Sequence, residues 1–253
     1  MINPRYIALV AKQRLTDTSF YFFTLFLPLG MYIFFGAAQS WSEARAGHGN
    51  VAAWIMASMS VYSAITCATS SASEISVELS NGWGRQVALT RGGLSSYLFT
   101  KLLVTAVISV VPVAVIFTAG ALTTAVIDTP GRWAAAFALC CLGGIPFTLY
   151  GIMSATWLGA RNSASISGAV LSLLAFMGGL FLPLSDGLMK VARFTPVYGV
   201  ANLVRRPIQG SYVITTSGIH HEQLWVQVAN VVAWTLIFAV LCYFGRNRST
   251  SRK

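Results

Sequence analysis

The stretch FLPLSDGLMKVARFTPVYGVANLVRR, residues Phe181–Arg206, has one proline near its start, another in its middle and a third, Pro207, just past its end. Between the first two, Leu188, Val191, Ala192 and Phe194 recur at helical spacing, and Ser185 or Asp186 stands where a cap belongs. A second apolar run, Tyr198 to Val204, ends at Arg205, Arg206 and Pro207. Each run is far shorter than the roughly 20 apolar residues a bilayer crossing needs, yet both are too apolar for a plain loop. The spacing predicts two short helices that dip into one half of a membrane and turn back. Irregular backbone at that depth is tolerated only where protein or water covers it.

Composition supports a membrane setting. Of the 253 residues, 55% are hydrophobic and only 9% charged, where a soluble domain is usually about a quarter charged. Six apolar runs are long enough to cross: approximately Phe20–Ala38, Val51–Ser71, Leu98–Ala121, Trp133–Leu158, Ala164–Leu182 and Leu224–Phe244. The formal charge of +10 would suggest nucleic acid in a soluble protein. Here the basic residues fall mostly at the ends of the apolar runs and no basic-aromatic surface is visible, so no nucleic-acid partner is expected.

With the N-terminus inside, the inner segments hold eleven Lys and Arg and the outer ones six, four of them in the long 183–223 loop. The excess of positive charge inside places both termini in the cytoplasm. Residues 1–19 (NPRYIALVAKQRL within them) put Arg5 and Lys12 on one side with Ile7, Val10 and Ala11 opposite, while Arg14 departs from the pattern. They read as a helix lying in the inner membrane surface, or as a simple extension of the first span. No cleavable signal peptide is expected, because no small-residue cleavage site follows a short apolar core.

Candidate chemistry is sparse. There is no phosphate-binding loop, no His-Glu-x-x-His pattern and no pair of carboxylates within a span. No catalytic residue and no metal site is expected. His220, His221 and Glu222 read as a solvated interfacial loop, and Cys67, Cys140, Cys141 and Cys242 as small hydrophobes inside apolar runs. Glu74 and Glu78 share one helical face and stand where Arg85 or Arg91 could pair with them. The second run, SMSVYSAITCATSSAS (58–73), has two readings: small residues that let helices approach closely, or a slightly polar pathway wall facing the aromatic first span. On the second reading Phe22, Phe26, Phe34, Tyr62, Phe176 and Phe181 line a pathway between the first, second and fifth spans.

Two patches carry a resemblance that covers essentially the whole chain. ELSNGWGRQVALTRGGLSSYLFTK (78–101) resembles the acid-glycine-basic-leucine-threonine stretch, ending in lysine, of type-2 ATP-binding-cassette permeases of the drug- and antibiotic-exporter kind. GGLFLPLSDGLMKVARFTPVYGVANLVR (178–205) is similar to that family's Gly-Leu-Phe-x-Pro turn, followed by Pro-x-Tyr and a later Arg. The family often has proline after the threonine, where this chain has Arg91, Gly92 and Gly93, and often asparagine where Thr195 stands.

The resemblance implies an all-α membrane protein: one permease domain over 1–253, with six spans, the interfacial helix, a cytoplasmic coupling helix within 73–97 and the re-entrant outer helices. It implies that Glu78, Gly82, Trp83, Arg85, Gln86, Leu89 and Thr90 dock an ATPase subunit, with Trp83 and Arg85 as anchors. Pro183, Phe194, Pro196 and Tyr198 would close the pathway to the outside. The chain itself would hold no cofactor; ATP and magnesium would bind the partner ATPase. A second permease subunit, identical or paralogous, and membrane lipid complete the expected partners, in what the resemblance makes a bacterial plasma membrane. The implied activity is ATP-driven export of a hydrophobic or amphipathic compound. A non-transporting scaffold or immunity protein, and a membrane enzyme acting on lipid, are the rival classes.

Overall fold

The computed structural model describes residues 21–78, 89, 93–158, 160–216 and 218–250. It is mostly helical. In chain order the elements are α1 (Phe22–Ala37), β1 (Arg45–Ala46), β2 (Gly49–Asn50), α2 (Val51–Glu78), α3 (Gly93–Leu122), α4 (Pro130–Gly143), α5 (Ile145–Leu158), α6 (Ala160–Met177), α7 (Asp186–Ala192), α8 (Pro196–Gln209), β3 (Tyr212–Ile214), β4 (Ile219–His221) and α9 (Leu224–Thr250).

Four stretches are long and apolar enough to cross a membrane: Val51–Ile75, Leu103–Leu122, Pro130–Leu158 and Leu224–Gly245. The first and fifth runs of the sequence reading form shorter apolar helices, Phe22–Ala37 and Ser163–Met177. The fifth stops early because Gly178 and Gly179 follow it, and Gly179 takes a φ of 69°, which turns the chain out of the helix. The fourth run is two helices, α4 and α5, meeting at Gly144. In α1, wide five-residue turns flank a regular segment that opens at Leu27 and Pro28. Proline has no N–H for the carbonyl four residues back, that of Thr24. The Ser63 hydroxyl of α2 donates to that carbonyl.

Helix α2 is the centre of the molecule. It packs against α1, α3, α4, α5, α6 and α8, so nearly every side of it is covered. Its Ser, Thr and Ala side chains allow that contact, and glycines on the facing helix bring backbones together. A Cβ on Gly151 would sit 2.5 Å from the Thr69 carbonyl oxygen, and one on Gly144 3.0 Å from that of Ala64. At its start, Asn50 caps α2: its side-chain oxygen accepts from the amides of Ala53 and Val126, and its amide donates to the Thr124 carbonyl.

The 183–223 region holds two helices, as its spacing predicts, with one correction. The second does not end before Arg205; α8 runs through Arg205, Arg206 and Pro207 to Gln209. A polar stripe makes that continuation possible, because Arg205 and Gln209 find partners inside the protein. Ser185 occupies the cap position of α7 but makes no side-chain cap bond. Asp186 instead meets the His220 ring at 2.9 Å.

Candidate functional site

Helix α8 presents Tyr198, Asn202, Arg205 and Gln209 at intervals of four, three and four residues, one face of a helix. That face turns inward. Arg205 is 3% exposed, and its guanidinium lies over the Trp54 ring of α2, 3.8 Å from the ring centre. Arg205 Nε donates to Ser58 Oγ at 2.8 Å and one terminal nitrogen to the Gly179 carbonyl at 2.7 Å. Trp54 Nε1 donates to Gln209 Oε1, Gln209 Nε2 to Asn202 Oδ1, and Asn202 Nδ2 to the Tyr198 carbonyl. One arginine therefore ties α8 both to α2 and to the turn after α6. Burial pulls the pKa of its guanidinium down, and the group keeps its charge because a guanidinium is not deprotonated in proteins.

Beside this cluster, Glu222 is also buried. The Tyr198 hydroxyl donates to it at 3.0 Å and Arg193 Nε approaches at 3.1 Å. Arg206, the sequence neighbour of Arg205, turns the other way, to Ser211 Oγ, Gln227 Oε1 and the Glu222 carbonyl. The reading of His220–Glu222 as a solvated loop is thus corrected at its last residue. His220 and His221 are exposed on β4, but Glu222 is drawn inside by a tyrosine and an arginine more than twenty residues earlier. Both Arg205 and Glu222 were missed as buried charges; the 198–202–205–209 stripe was the signal that could have found the first.

The four outer-gate candidates separate. Pro196 and Tyr198 are buried in α8, Pro183 borders the same small cavity as Tyr198 and Arg205, and Phe194 is 79% exposed, its backbone held by its N–H to the Val191 carbonyl and by Trp234 Nε1 on its own carbonyl. The six pathway candidates fall into two groups. Tyr62, Phe181 and Phe176 stack in a row, with ring centres 5.0 and 4.4 Å apart, and Tyr62 shares a hydrogen bond with Ser172. Phe22, Phe26 and Phe34 stand on α1 and line an open apolar groove of about 360 Å³ with Leu27, Met31 and Phe35.

At the other end of α2, Glu78 receives Lys101 Nζ at 2.8 Å and the Tyr97 hydroxyl. The lysine that closes the 78–101 patch is thus one partner of Glu78; Arg85 and Arg91, the candidates offered by the sequence, lie outside the described residues. Of the other coupling candidates Leu89 is an exposed turn residue, while Gly82, Trp83, Arg85, Gln86 and Thr90 lie outside them, as do Arg5, Lys12 and Arg14. Among the described residues no group of three His, Cys, Asp or Glu could hold a metal ion, and none of the four cysteines is in a disulfide. The arrangement binds and braces helices rather than activating a nucleophile.

Two comparisons bear on identity. The model of a family described as ABC-2 family transporter protein matches residues 42–245. A protein of Bacillus subtilis (strain 168) named as a transport permease, YvfS, is 24% identical over 243 residues, covering 94% of each chain.

Proposed function

Because the chain belongs to the ABC-2 transporter family, whose members are membrane permease subunits, we propose that it moves a hydrophobic or amphipathic compound outward across the membrane. In this family the membrane subunit does no chemistry, and ATP hydrolysis lies in a separate partner. The partner ATPase would carry ATP and magnesium. Two permease subunits, identical or paralogous, form the pathway, each with six spans: the four long ones and the shorter Phe22–Ala37 and Ser163–Met177 helices. Both termini face the cytoplasm of a bacterial cell, the interfacial helix at 1–19 lies on the inner surface against lipid, and α7 and α8 lie at the outer side.

The observation that carries the cargo class is the pair of aromatic surfaces formed by α1 and by α2, α6 and the turn after α6. The groove at Phe22, Phe26 and Phe34 and the Tyr62–Phe181–Phe176 row are apolar and hold no acid or base. Such walls suit a lipid, a lipopeptide or an amphipathic antibiotic, and efflux of the last would confer resistance. In this reading the 78–90 loop docks in the ATPase through Glu78, Gly82, Trp83, Arg85, Gln86, Leu89 and Thr90, and Pro183, Phe194, Pro196 and Tyr198 close the exit. ATP-driven motion of the ATPases, relayed through that loop, narrows the cavity and expels the cargo.

Co-purification tests the coupling. The intact chain, extracted gently from its native membrane, brings down a nucleotide-binding subunit, and Trp83→Ala with Arg85→Ala releases it while the permease stays folded. Retention of the ATPase by the double variant would refute the assignment of the loop. Absence of any ATPase from the unaltered chain would leave a non-transporting scaffold as the better reading.

A further inference from the structure

Among the described residues two charged side chains are buried, Arg205 and Glu222. Glu222 is met by Arg193, but no carboxylate among the described residues lies within ion-pair distance of Arg205. A guanidinium has five N–H donors. Ser58 and Gly179 take one each, and Trp54 covers a face with no formal charge. A buried charge without a counter-charge is costly, and a bound ion of opposite sign relieves that cost.

Arg205 also borders a cavity. It is about 10 Å³, the room that one water-sized atom needs, and it is rimmed by Trp54, Gly179, Pro183, Tyr198, Asn202 and Thr215. A water there would satisfy N–H groups but leave the unit charge unbalanced; an anion does both. We propose that Arg205 and this cavity bind a single anionic atom, a halide or one oxygen of a carboxylate. The carboxylate of Glu222 does not compete, since it is already engaged by Tyr198 and Arg193. The site stands whether or not the chain exports an amphiphile. If the anion comes from cargo, Arg205 reads the acidic end of that cargo beside the gate candidates Pro183 and Tyr198.

The test uses the purified full-length chain in detergent, with chloride replaced at constant ionic strength by methanesulfonate, which is neither a halide nor a carboxylate and has a bulky three-oxygen head. The unfolding temperature is expected to rise by about 3–5 °C and to saturate as chloride returns, the shift of a ligand present at about ten times its dissociation constant. Iodide should quench one tryptophan saturably, and Trp54→Phe should remove that component. Arg205→Met should abolish both responses. If that variant does not fold, the unaltered chain and Trp54→Phe suffice. Equal unfolding temperatures in chloride and methanesulfonate, with linear iodide quenching, overturn the site. Octanoate at low chloride separates the sources: if it raises the unfolding temperature and displaces iodide, the pocket takes a cargo-type carboxylate, and if only halides act, it takes an inorganic anion.

Discussion

Helices α2 and α9 are both apolar enough to cross a membrane, yet they sit in opposite surroundings. In the most apolar 18 residues of each, 89% are buried in α2 and 11% in α9. The buried helix is the one rich in Ser, Thr and Ala; the exposed one carries Val228, Val232, Leu236, Ile237 and Val240 on its surface. In water that order would be reversed. In lipid a leucine gains little by leaving the acyl chains, so helices are sorted by how closely their backbones can approach. α2 is accordingly held along its length, whereas α9, apart from its packing on α5 and α8, is pinned at points. Asn230 donates to the carbonyls of Arg193 and Thr195, Trp234 donates to Phe194, Trp157 donates to Leu241, and Glu222 anchors the chain just before α9 begins.

The contrast can be broken first at the α2 surface. Gly151→Val puts a Cβ where the Thr69 carbonyl and Ala72 stand, and is expected to cost about 3 kcal/mol or more. Size-exclusion profiles in mild detergent should lose the monodisperse peak, and a normal peak would show that the α2–α5 contact can relax. Next comes the anchor of α9. Glu222→Gln removes the charge facing Arg193 and is expected to cost about 1–3 kcal/mol, read as a lowered unfolding temperature. At the far end of α2, Glu78→Gln should cost less than about 1 kcal/mol, because that carboxylate is partly exposed and packing already holds the helix. An effect as large as that of Glu222→Gln would mean that the Glu78–Lys101 pair, not the packing, secures that end.

The smallest effects sharpen the comparison. Leu236→Val on α9 should change stability by no more than about 0.5 kcal/mol, since the side chain is exposed. Ser60→Ala on α2 should be neutral or slightly stabilising: the Ser60 hydroxyl is buried, has no hydrogen-bond partner among the described residues, and contributes only its small size. Denaturation of both variants in parallel with the parent checks this.

Much of this was legible in the residues. The apolar runs located every long helix, and the prolines at 183 and 196 located the two short ones. What escaped was rotation. Arg205 and Arg206 are identical neighbours, and only the roughly 100° between successive helical positions sends one over Trp54 and the other toward Ser211. The burial of Glu222 depends on Arg193 and Tyr198, whose positions are fixed by helices the local pattern around His220 does not contain. The Glu78–Lys101 pair spans the 78–101 patch, so no local spacing on α2 announces it. For the pathway candidates, the residue types pointed to aromatic walls but not to their separation into a row and a groove.

The grip of Asn50, Trp54 and Ser58 on one end of α2 has a mechanical corollary. All three lie within the first few turns or the cap, while Glu78 ends the same unbroken helix of 28 residues. Such a helix is about 42 Å long, so a tilt of about 5° around the gripped end would swing the Glu78 end through roughly 4 Å. Because α2 is covered along its length, a tilt of that size would carry with it the helices packed on it, α3 and α5 foremost, so such a motion belongs to the bundle and not to α2 alone.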